Sequence, residues 1–580
     1  MIKLEKLYSE PELFNPILFS YGVNIIMGEK SESDNKKIGV GKSICVEFIN
    51  FCLLKRFSES RLSHIPKGIV EPDVKICLDL LFNNHKITII RTFGEQDKVV
   101  IFKDSIEIIF EKIDDATEFM TSLYFEQYPP YVTRISFRNI LSPVIRDERS
   151  EFKDIIKTFD TSKLIPRDYK PHLFFLGLDV GLYSEIGRVI ADIEKLNTYL
   201  SETRKFLTNN GEVKISDAKA RLNELESEVV KITTSLEQLK NKESFDIIQA
   251  DIIRFESEIK SLRTKQSAIN LEIKQIESFP QPENISENEL GALFNEFKFG
   301  LGDMVVKSIE QVKFFKSKID SFRNALVSSR LDSLKEERST LNKSLNSLDE
   351  EYANKLSLID DGGALRDLKT SLSIFNTKSE ERDLLKHSLE RYQTSERKKK
   401  LFQIDKLSLI AKLDQAILDS QNIINSFQAT ILDIHEEIMG NKEAYFEVKT
   451  NGNKDIVEFV LRTDDDGSHT TERIKVFIYD CALMFNEITR KNHPGFLIHD
   501  NLFDKDDDTL EKSLNFLYLQ EQCMPDGFQY ILTLNRDLVE PIAQKGDLLF
   551  SVDNYKRASF TKEARFLKSV DKYTETKKKK

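Results

Sequence analysis

The sequence predicts one α/β domain whose two halves are separated by a long coiled-coil hairpin, and three observations lead to this prediction. Strand-like and helix-like segments alternate over the first 180 residues, heptads dominate residues 222–438, and strand-like segments return after residue 440. Because an antiparallel hairpin returns its ends to the same place, the two halves can combine into one head.

Length and composition exclude several classes of protein. The chain has 580 residues, 31% of them charged, and its 21 glycines and 14 prolines leave most of it ordered and much of it helical. The net charge of −11 argues against a uniformly basic nucleic-acid coat. No apolar run reaches membrane-spanning length and the N-terminus lacks a signal-peptide core. Five scattered cysteines without a C-x-x-C pair favour reduced thiols and a cytoplasmic location over a zinc site or disulfides.

The N-terminal half, residues 1–183, is predicted to form a sheet with helices. "KSICVEFINFCLLKRF" has apolar residues at helical spacing, and "VKICLDLLF", "HKITIIRTF" and "DKVVIFKD" are typical of successive strands. A turn is expected at Asn83–Asn84 between the first two of these strands.

The middle of the chain is predicted to be a coiled-coil hairpin. Its arms cover residues 184–280 and 331–440, with a turn-rich tip at 281–330, and breaks are expected at 209–211 and 360–363. A packed helical bundle is the alternative. The heptad positions are Leu222, Leu225, Val229, Ile232, Leu236, Leu239, Ile252, Phe255, Ile259, Leu262, Ile269, Ile273, Ile276, then Leu334, Leu341, Leu345, Leu348, Tyr352, Leu365, Leu368, Leu372, Phe375, and finally Phe427, Ile431, Ile434 and Ile438.

The C-terminal half, residues 441–580, returns to strands. "AYFEVKTNGNKDIVEFVLRT" predicts a hairpin, a helix is expected over Arg473–Ile488, and "GFLIHD" and "FQYILTLN" predict two apolar strands.

The stretch "NIIMGEKSESDNKKIGVGKS" has the parts of a phosphate-binding loop. Such a loop needs backbone amides aimed at the phosphates, a lysine to neutralise them and a hydroxyl for Mg²⁺. The spacing departs from G-x-x-x-x-G-K-[ST], so an insertion must loop out after the strand, and a chance tripeptide is the alternative. The predicted nucleotide contacts are Gly28, Gly39, Val40, Gly41, Lys42, Ser43 and Ile44.

A partner motif is expected in the C-terminal half, namely an apolar strand that ends in an aspartate able to hold Mg²⁺. "GFLIHD" ends in Asp500, so Ser43 and Asp500 are the predicted metal ligands and ATP with Mg²⁺ the predicted cofactors. An ordinary buried strand that ends at a surface aspartate is the alternative.

A phosphate-binding loop, a long hairpin and an aspartate-terminated strand resemble the SMC, RecF and RecN group of ABC-type ATPases over nearly the whole chain. More narrowly, "GVGKS", "IHDNLFD" and "QYILTLN" resemble a poorly characterised bacterial family of SMC-like proteins with a C-terminal domain of unknown function. Such relatives often occur in multi-component phage defence. The resemblance implies an α/β P-loop NTPase head of ABC type, assembled from the N- and C-terminal halves, with a long antiparallel coiled-coil hairpin inserted.

The resemblance also implies a signature serine that meets the γ-phosphate of ATP held by a second protomer. Ser468 occupies that place in "DDGSHTTERIKVFIYDCALMF", although His469 and Thr470 replace the glycines that normally follow. A helix N-cap at Ser468 is the alternative interpretation.

The resemblance to the ABC-type ATPases implies further catalytic positions. Asn501 stands where the family has the glutamate that polarises water, so Asp504, His499 or the phosphate itself would have to help. Asn535 stands at the switch-histidine position and Asp507 at the D-loop aspartate, or in solvated surface. The implied catalytic set is Asp500, Asn501, Asp504 and Asn535, and its changes imply slow hydrolysis.

The glutamine loop of the family is expected within residues 136–152, which contain no glutamine. Arg146 and Arg149 there are candidates for phosphate or partner contacts, with a surface salt bridge as the alternative. The lysine runs at 395–400 and at the C-terminus are either solvated or bind the DNA backbone.

The predicted function is a slow, SMC-like ATPase that forms a homodimer through ATP-bound heads, clamps or senses DNA, and works with separate effector or accessory subunits, without membrane contact. A DNA-repair or chromosome-maintenance ATPase and a non-hydrolysing, ATP-gated scaffold are the alternatives. A purely structural coiled-coil protein would require both motifs to be coincidental.

Overall fold

The chain forms two compact units in a computed structural model. Unit 1 comprises Met1–Glu194 and Lys400–Lys580, and unit 2 comprises Lys195–Lys399. The structure describes residues 1–29, 41–66, 68–162, 165–240, 249–277, 329–354, 364–451, 455–463, 469–503, 507–525 and 527–568. Within these ranges, no helix is both long enough and apolar enough to cross a membrane.

The strands all lie in unit 1, as far as the described ranges extend. They are β1 (Ile2–Glu10), β2 (Ile17–Leu18), β3 (Gly22–Gly28), β4 (Lys75–Phe82), β5 (His85–Arg91), β6 (Val99–Lys103), β7 (Ile106–Phe110), β8 (Ile145–Arg146), β9 (Ala444–Thr450), β10 (Val457–Thr463), β11 (Phe496–Asp500), β12 (Gln529–Asn535) and β13 (Lys556–Phe560).

The described helices are α1 (Lys42–Cys52), α2 (Ile113–Tyr124), α3 (Phe137–Leu141), α4 (Lys170–Phe175), α5 (Val180–Leu207), α6 (Ile215–Lys240), α7 (Gln249–Glu277), α8 (329–354), α9 (Ala364–Asp419), α10 (Gln421–Met439), α11 (His469–Phe485), α12 (Asp507–Cys523), α13 (Arg536–Lys545) and α14 (Val552–Tyr555). The helix predicted over Arg473–Ile488 is therefore α11, which begins and ends a few residues earlier than expected.

A five-stranded parallel sheet forms the centre of unit 1 and takes strands from both ends of the chain. Its order is β13-β3-β12-β11-β8, so β3 from the N-terminal half lies between two C-terminal strands. All residues of β3 and β11 are buried, as expected for parallel strands covered on both faces. This interleaving is the physical basis for a head built from two halves.

A six-stranded antiparallel sheet of order β2-β1-β4-β5-β6-β7 accompanies the parallel sheet. The predicted strands "VKICLDLLF", "HKITIIRTF" and "DKVVIFKD" are β4, β5 and β6, which are confirmed. The turn at Asn83–Asn84 is also confirmed, and both residues have positive φ, 46° and 75°. The predicted C-terminal hairpin is present as β9 paired with β10.

The last predicted heptad set does not lie in a coiled-coil arm. Phe427, Ile431, Ile434 and Ile438 lie on α10 and are buried in the core of unit 1, where α10 packs on α11 and β9. An amphipathic helix on a globular core and a coiled-coil helix share the same apolar spacing over a few turns, so this segment was misassigned.

Unit 2 is built from long helices that pair antiparallel. Three ion pairs join the arms, at 3.0 Å for Arg221–Glu381, 3.2 Å for Arg263–Asp349 and 2.7 Å for Arg330–Glu272. Residue numbers rise in one arm as they fall in the other, which is the antiparallel register expected of a hairpin. The apolar contacts follow the same rule, because Ile269 and Ile273 pack with Leu334.

The expected break at residues 209–211 is present as a 3₁₀ turn, Asn209–Gly211, in which Asn210 has left-handed backbone angles. The break expected at 360–363 and the tip at 281–330 lie outside the described residues, apart from the first residues of α8.

Candidate functional site

Three of the predicted site residues lie at the carboxyl edge of the parallel sheet. Gly28 ends β3 and is paired in register with Asn535 at the end of β12, while Asp500 at the end of β11 is paired with Thr533. Ligands of parallel α/β sheets bind at this edge, because loops and helix N-termini converge there.

Lys42 reaches across this edge from the start of α1. The helix begins after Gly41, whose φ of 104° is in the left-handed region and favours glycine. The Lys42 Nζ donates to the backbone oxygen of Leu534 at 3.2 Å and also to Oδ1 of Asn535. A lysine held by neutral oxygens can exchange them for a phosphate at little cost.

Gly28 packs closely against Lys42 and Asn535. A Cβ on Gly28 would lie 3.0 Å from Asn535 Oδ1 and 3.1 Å from Lys42 Nζ. A larger residue would therefore press on the ends of the Asn535 and Lys42 side chains, which would have to shift by a few tenths of an ångström.

Asp500 is the most unusual group of the site, because its carboxylate is buried and one of the two oxygens lacks a hydrogen bond in the described part of the chain. Its Oδ1 accepts a hydrogen bond of 2.7 Å from Thr533, whereas Oδ2 has no hydrogen-bond partner among the described residues. Burial raises the pKa of Asp500, and the hydrogen bond from Thr533 and the nearby Ser43 side chain oppose that shift. Ser43 and Asp500, the two predicted metal ligands, are therefore brought together.

Asn501 follows Asp500 with a φ of 62°, in the left-handed region that asparagine tolerates. Its backbone N–H donates to Thr533 Oγ1 at 2.9 Å, so one threonine fixes both Asp500 and the backbone of Asn501. Thr533 was missed by sequence reasoning. The alternation of β12 holds the signal, since Thr533 lies two residues before Asn535 on the same face.

His499 cannot orient a water at this site, contrary to one suggestion from the sequence. It is fully buried, its Nε2 donates to Asp480 at 3.0 Å, and its Nδ1 accepts from the Tyr530 hydroxyl at 2.9 Å. Successive strand residues face opposite sides of a sheet, so His499 points away from Asp500. Burial lowers the pKa of His499, which keeps the ring neutral.

Arg146 is likewise engaged in the interior and does not form a surface contact. It pairs with Asp480 through Nη2 at 2.8 Å and also donates to the backbone oxygen of Ile155 at 2.6 Å. Burial alone would raise the pKa of Asp480, but the charge of Arg146 and the hydrogen bond from His499 outweigh it and lower the pKa. The chain Tyr530–His499–Asp480–Arg146 thus joins β12, β11, α11 and β8.

Arg149 forms internal ion pairs, at 2.6 Å with Asp147 and 3.0 Å with Glu47. The neighbouring residue Glu148 pairs with Arg61 at 3.3 Å near the carboxyl edge of the sheet. Neither Glu148 nor Arg61 was singled out from the sequence, because both lie in short 3₁₀ segments without a periodic pattern.

The remaining predicted positions stay predictions. Gly39, Val40, Ser468 and Asp504 lie outside the described residues. Ile44 lies in the first turn of α1 and packs against the core, and Asp507 begins α12.

Among the described residues, no group of three or more His, Cys, Asp or Glu side chains is arranged to hold a metal ion. Mg²⁺ bound with a nucleotide needs fewer, since it takes one or two protein oxygens and completes its shell with phosphates and water. The free Oδ2 of Asp500 beside the Ser43 side chain fits such an ion.

Comparison with known proteins gives one family and one curated relative. Residues 434–570 match a family described as "Uncharacterised protein conserved in bacteria (DUF2326)". This segment contains β9–β13 with Asp500 and Asn535, whereas Lys42 lies outside it. The chain is similar to the "Uncharacterized protein YydD" of Bacillus subtilis (strain 168), with 20% identity over 574 residues that cover 92% of this chain and 93% of that protein.

Two solved structures resemble the whole chain at low similarity. One is the Smc head domain with a coiled coil and joint from Pyrococcus yayanosii, with 13% identity, a TM-score of 0.33 and 93% of each chain covered. The other is the Smc head domain with an extended coiled coil bound to the C-terminal domain of ScpA from Pyrococcus furiosus, with 11% identity, a TM-score of 0.35, and 93% and 92% covered. At these values the likeness bears on neither site residues nor activity.

Proposed function

We propose that this chain is an SMC-like ATP-binding protein with an ABC-type head, and that it hydrolyses ATP slowly. One observation carries the proposal: Lys42, Ser43, Asp500 and Asn535 converge on one edge of a parallel sheet, around a buried carboxylate oxygen without a partner. Residues from opposite ends of the chain form this group, so a chance GKS tripeptide is a poor explanation of it.

The role of each residue follows from its chemistry. Lys42 would exchange the oxygens of Leu534 and Asn535 for phosphate oxygens, and the first turn of α1 would offer its backbone amides. Ser43 and Asp500 would hold Mg²⁺. When bound, Mg²⁺ neutralises phosphate charge and helps align the terminal phosphate for attack.

Two copies of the chain are part of the proposal. A second protomer would complete each nucleotide site through its Ser468 region, so that ATP joins the heads. DNA and separate effector subunits are the proposed partners, with phage defence as the setting. For DNA, the support on this chain is limited to the exposed basic stretch that includes Arg397, Lys398 and Lys400 on α9.

The test is equilibrium binding of labelled ATP to the purified chain, with and without MgCl₂, for the wild type and Lys42→Ala. Loss of a charge-assisted contact to phosphate should weaken binding about 10- to 100-fold. Lys112→Ala removes an exposed lysine at the N-cap of α2 and should bind as the wild type does. Light scattering on the same samples should show ATP-dependent dimers.

Equal ATP binding by wild type and Lys42→Ala, or no binding by either, would overturn the proposal. Tight, Lys42-dependent binding without turnover would favour the second candidate, an ATP-gated scaffold. The observation behind that candidate is Asn501, whose amide cannot accept a proton from water at neutral pH.

A further inference from the structure

The six-stranded antiparallel sheet carries apolar side chains on both of its faces. Its inner face, which includes Ile76, Leu78 and Ile89, belongs to the core of unit 1. Helix α1 packs on this face, where the Cys52 thiol donates to the backbone oxygen of Ile76 at 3.6 Å. An antiparallel sheet with one face on a core usually has polar residues on the other. The outer face of this sheet departs from that rule.

One row of apolar side chains crosses five strands on the outer face. The register sets Tyr8 of β1 opposite Cys77 of β4 and continues through Ile90 and Val100 to Ile109 of β7. Opposite residues of an antiparallel pair point to the same face, so the five side chains form one stripe, about 19 Å long at the usual strand spacing. We call it the outer apolar row. In the described part of the chain, none of its members belongs to the core.

The outer apolar row is partly open to solvent. Ile109 is 53% exposed at the edge strand, and Tyr8, Ile90 and Val100 are half-buried. Leu18 of β2, which is 63% exposed, extends the apolar surface beyond β1 on the same face. Contiguous exposed apolar surface of this kind marks an interaction site.

A second row on the same face indicates what the partner is. It runs from Lys6 on β1 through Asp79, Thr88 and Phe102 to Glu107 on β7. Asp79 accepts a hydrogen bond from Thr88 at 2.7 Å, whereas neither Lys6 nor Glu107 forms an ion pair with another described residue. The face therefore has a positive charge at its β1 side and a negative charge at its β7 side.

A two-fold axis along β5 makes this face complementary to itself. β5 is the middle strand of the five, so the axis sets β1 of one copy on β7 of the other. Lys6 of each copy then meets Glu107 of the other copy, and Tyr8 meets Ile109 in the same way. Ile90 lies on the axis. Two twisted sheets can pack face to face in this manner, about 10 Å apart.

We propose that the outer face of the six-stranded sheet is a homodimer interface, on which a second copy of the chain packs sheet against sheet. The inference goes beyond the proposed function and does not rest on it. Lys42 begins α1, which packs on the inner face, so the interface lies on the side of the sheet away from that helix. Self-association through the outer face should therefore need no nucleotide.

The experiment measures the mass of the full chain by sedimentation equilibrium over about 1–100 µM, without nucleotide and with EDTA. The wild type and Lys42→Ala should self-associate equally. Ile109→Asp puts a charge into the outer apolar row at an exposed edge position, where the fold tolerates it. It should weaken self-association about tenfold or more, because the charge becomes buried without a partner in the dimer.

Reversal of the two charges tests the symmetry of the interface. Lys6→Glu and Glu107→Lys should each fail to self-associate, since like charges then meet at both ends. Mixed in equal amounts, the two variants should form a 1:1 dimer, because the mixture restores an opposite pair at each end. Misfolded chains would not recover association on mixing.

Glu118→Lys is the matched control. It reverses an exposed charge on α2, a helix that packs through Phe119 against Phe110 on the core side of β7. It should self-associate as the wild type does, and circular dichroism should give all the variants the same helix content.

A wild type that stays monomeric over the whole concentration range would overturn the inference and leave the proposed function intact. Wild-type self-association by Ile109→Asp, or failure of the two charge variants to associate on mixing, would overturn it as well. Plasmid DNA or phosphatidylcholine vesicles that bind the wild-type monomer but not Ile109→Asp would assign the outer face to a different partner, which also contradicts the proposal.

Discussion

A single aspartate combines two opposing properties at the candidate site. Asp500 is buried, and Thr533 supplies a hydrogen bond to only one of its oxygens. A folded state that keeps such a group charged at neutral pH is less stable than one with a neutral side chain of the same shape. A charged side chain that costs stability at this position is expected where a cation binds.

Asp500→Asn should therefore stabilise the nucleotide-free protein and remove Mg²⁺-dependent ATP binding. The amide oxygen can still accept from Thr533, while the buried charge is gone, so the free energy of unfolding should rise by about 1 kcal/mol near pH 7. Burial raises the pKa of Asp500 in the folded state above its ordinary value, so the native state binds a proton more readily than the unfolded one. This destabilisation of the wild type is present at neutral pH, shrinks as the pH falls below the raised pKa of the folded state, and is gone below the ordinary pKa of the unfolded state.

Urea denaturation without nucleotide, at about pH 7 and about pH 4, measures this effect. The gap between Asp500→Asn and the wild type should narrow at the lower pH. Asp414→Asn is the control, because Asp414 also accepts from a threonine, Thr450 at 2.9 Å, but is exposed, so it should change neither stability nor binding. A less stable Asp500→Asn protein would contradict the argument.

At the scale of single residues, part of the candidate site could be predicted from the sequence. Lys42, Ser43, Asp500 and Asn535 stand in recognisable segments, since a strand end followed by glycine or aspartate is a pattern that adjacent residues carry. Thr533 was missed because its closeness to Asp500 comes from the pairing of β12 with β11, two strands that are far apart in the sequence. No pattern along one segment encodes that closeness.

At the scale of elements, a row of buried polar side chains, linked by hydrogen bonds, joins the strands of the site. Arg146 of β8, Asp480 of α11 and His499 of β11 are each fully or almost fully buried, and each hydrogen bonds to the next. Tyr530 of β12 is the last member of this row, and its hydroxyl hydrogen bonds to His499. Asp480 is the central member, because it accepts from both Arg146 and His499.

Asp480→Asn should destabilise unit 1 strongly. It leaves the Arg146 guanidinium buried without a counter-charge, a change that typically costs about 3–5 kcal/mol. The measurement is the free energy of unfolding from urea titration. Asp433→Asn disrupts the exposed pair with Lys442 at 2.8 Å and should leave the midpoint unchanged. Equal urea midpoints for Asp480→Asn and Asp433→Asn would show that the buried polar side chains contribute no stability.

Helices and strands were predicted well where their apolar residues recur at a regular spacing, and poorly elsewhere. The strands β4, β5, β9 and β12 were visible as alternating or continuous apolar runs. β8 has two residues and β13 reads "KRASF", so neither stands out from a loop. α10 was misassigned because its apolar stripe is compatible with both a coiled coil and a globular core.

At the scale of the whole molecule, the strand order ties the two ends of the chain together. β3 lies between β12 and β13, and its residue Ile26 faces Thr533 on one side and Ala558 on the other. In the described residues, the large core of unit 1 draws on residues 2–186 and 409–567, with none from unit 2. Neither half of unit 1 can complete its sheet alone.

Residues 1–194 and 400–580 should therefore associate when they are produced as two separate chains in one cell. We expect the pair to copurify as a 1:1 complex with a cooperative thermal transition, and each chain alone to lack one. Size-exclusion chromatography and circular dichroism measure both properties.

Ile26→Asp tests the specificity of this association, because it puts a charge on a fully buried strand position. It should abolish copurification. Leu18→Asp changes a residue of the edge strand β2 that is 63% exposed and should not. Independent folding of residues 1–194 would contradict the role assigned to the interleaved strands.

The contact between Lys42 and Asn535 spans 493 positions of the chain, and this has a consequence for biosynthesis. A ribosome that adds 5–20 residues per second needs roughly 25–100 seconds between the two codons. During that time β3 has neither of its two neighbours in the parallel sheet, β12 and β13, and Lys42 lacks its contact with Asn535. A product that ends before Asp500 therefore lacks Asp500, Asn535 and the strands β12 and β13, and it cannot form the candidate site.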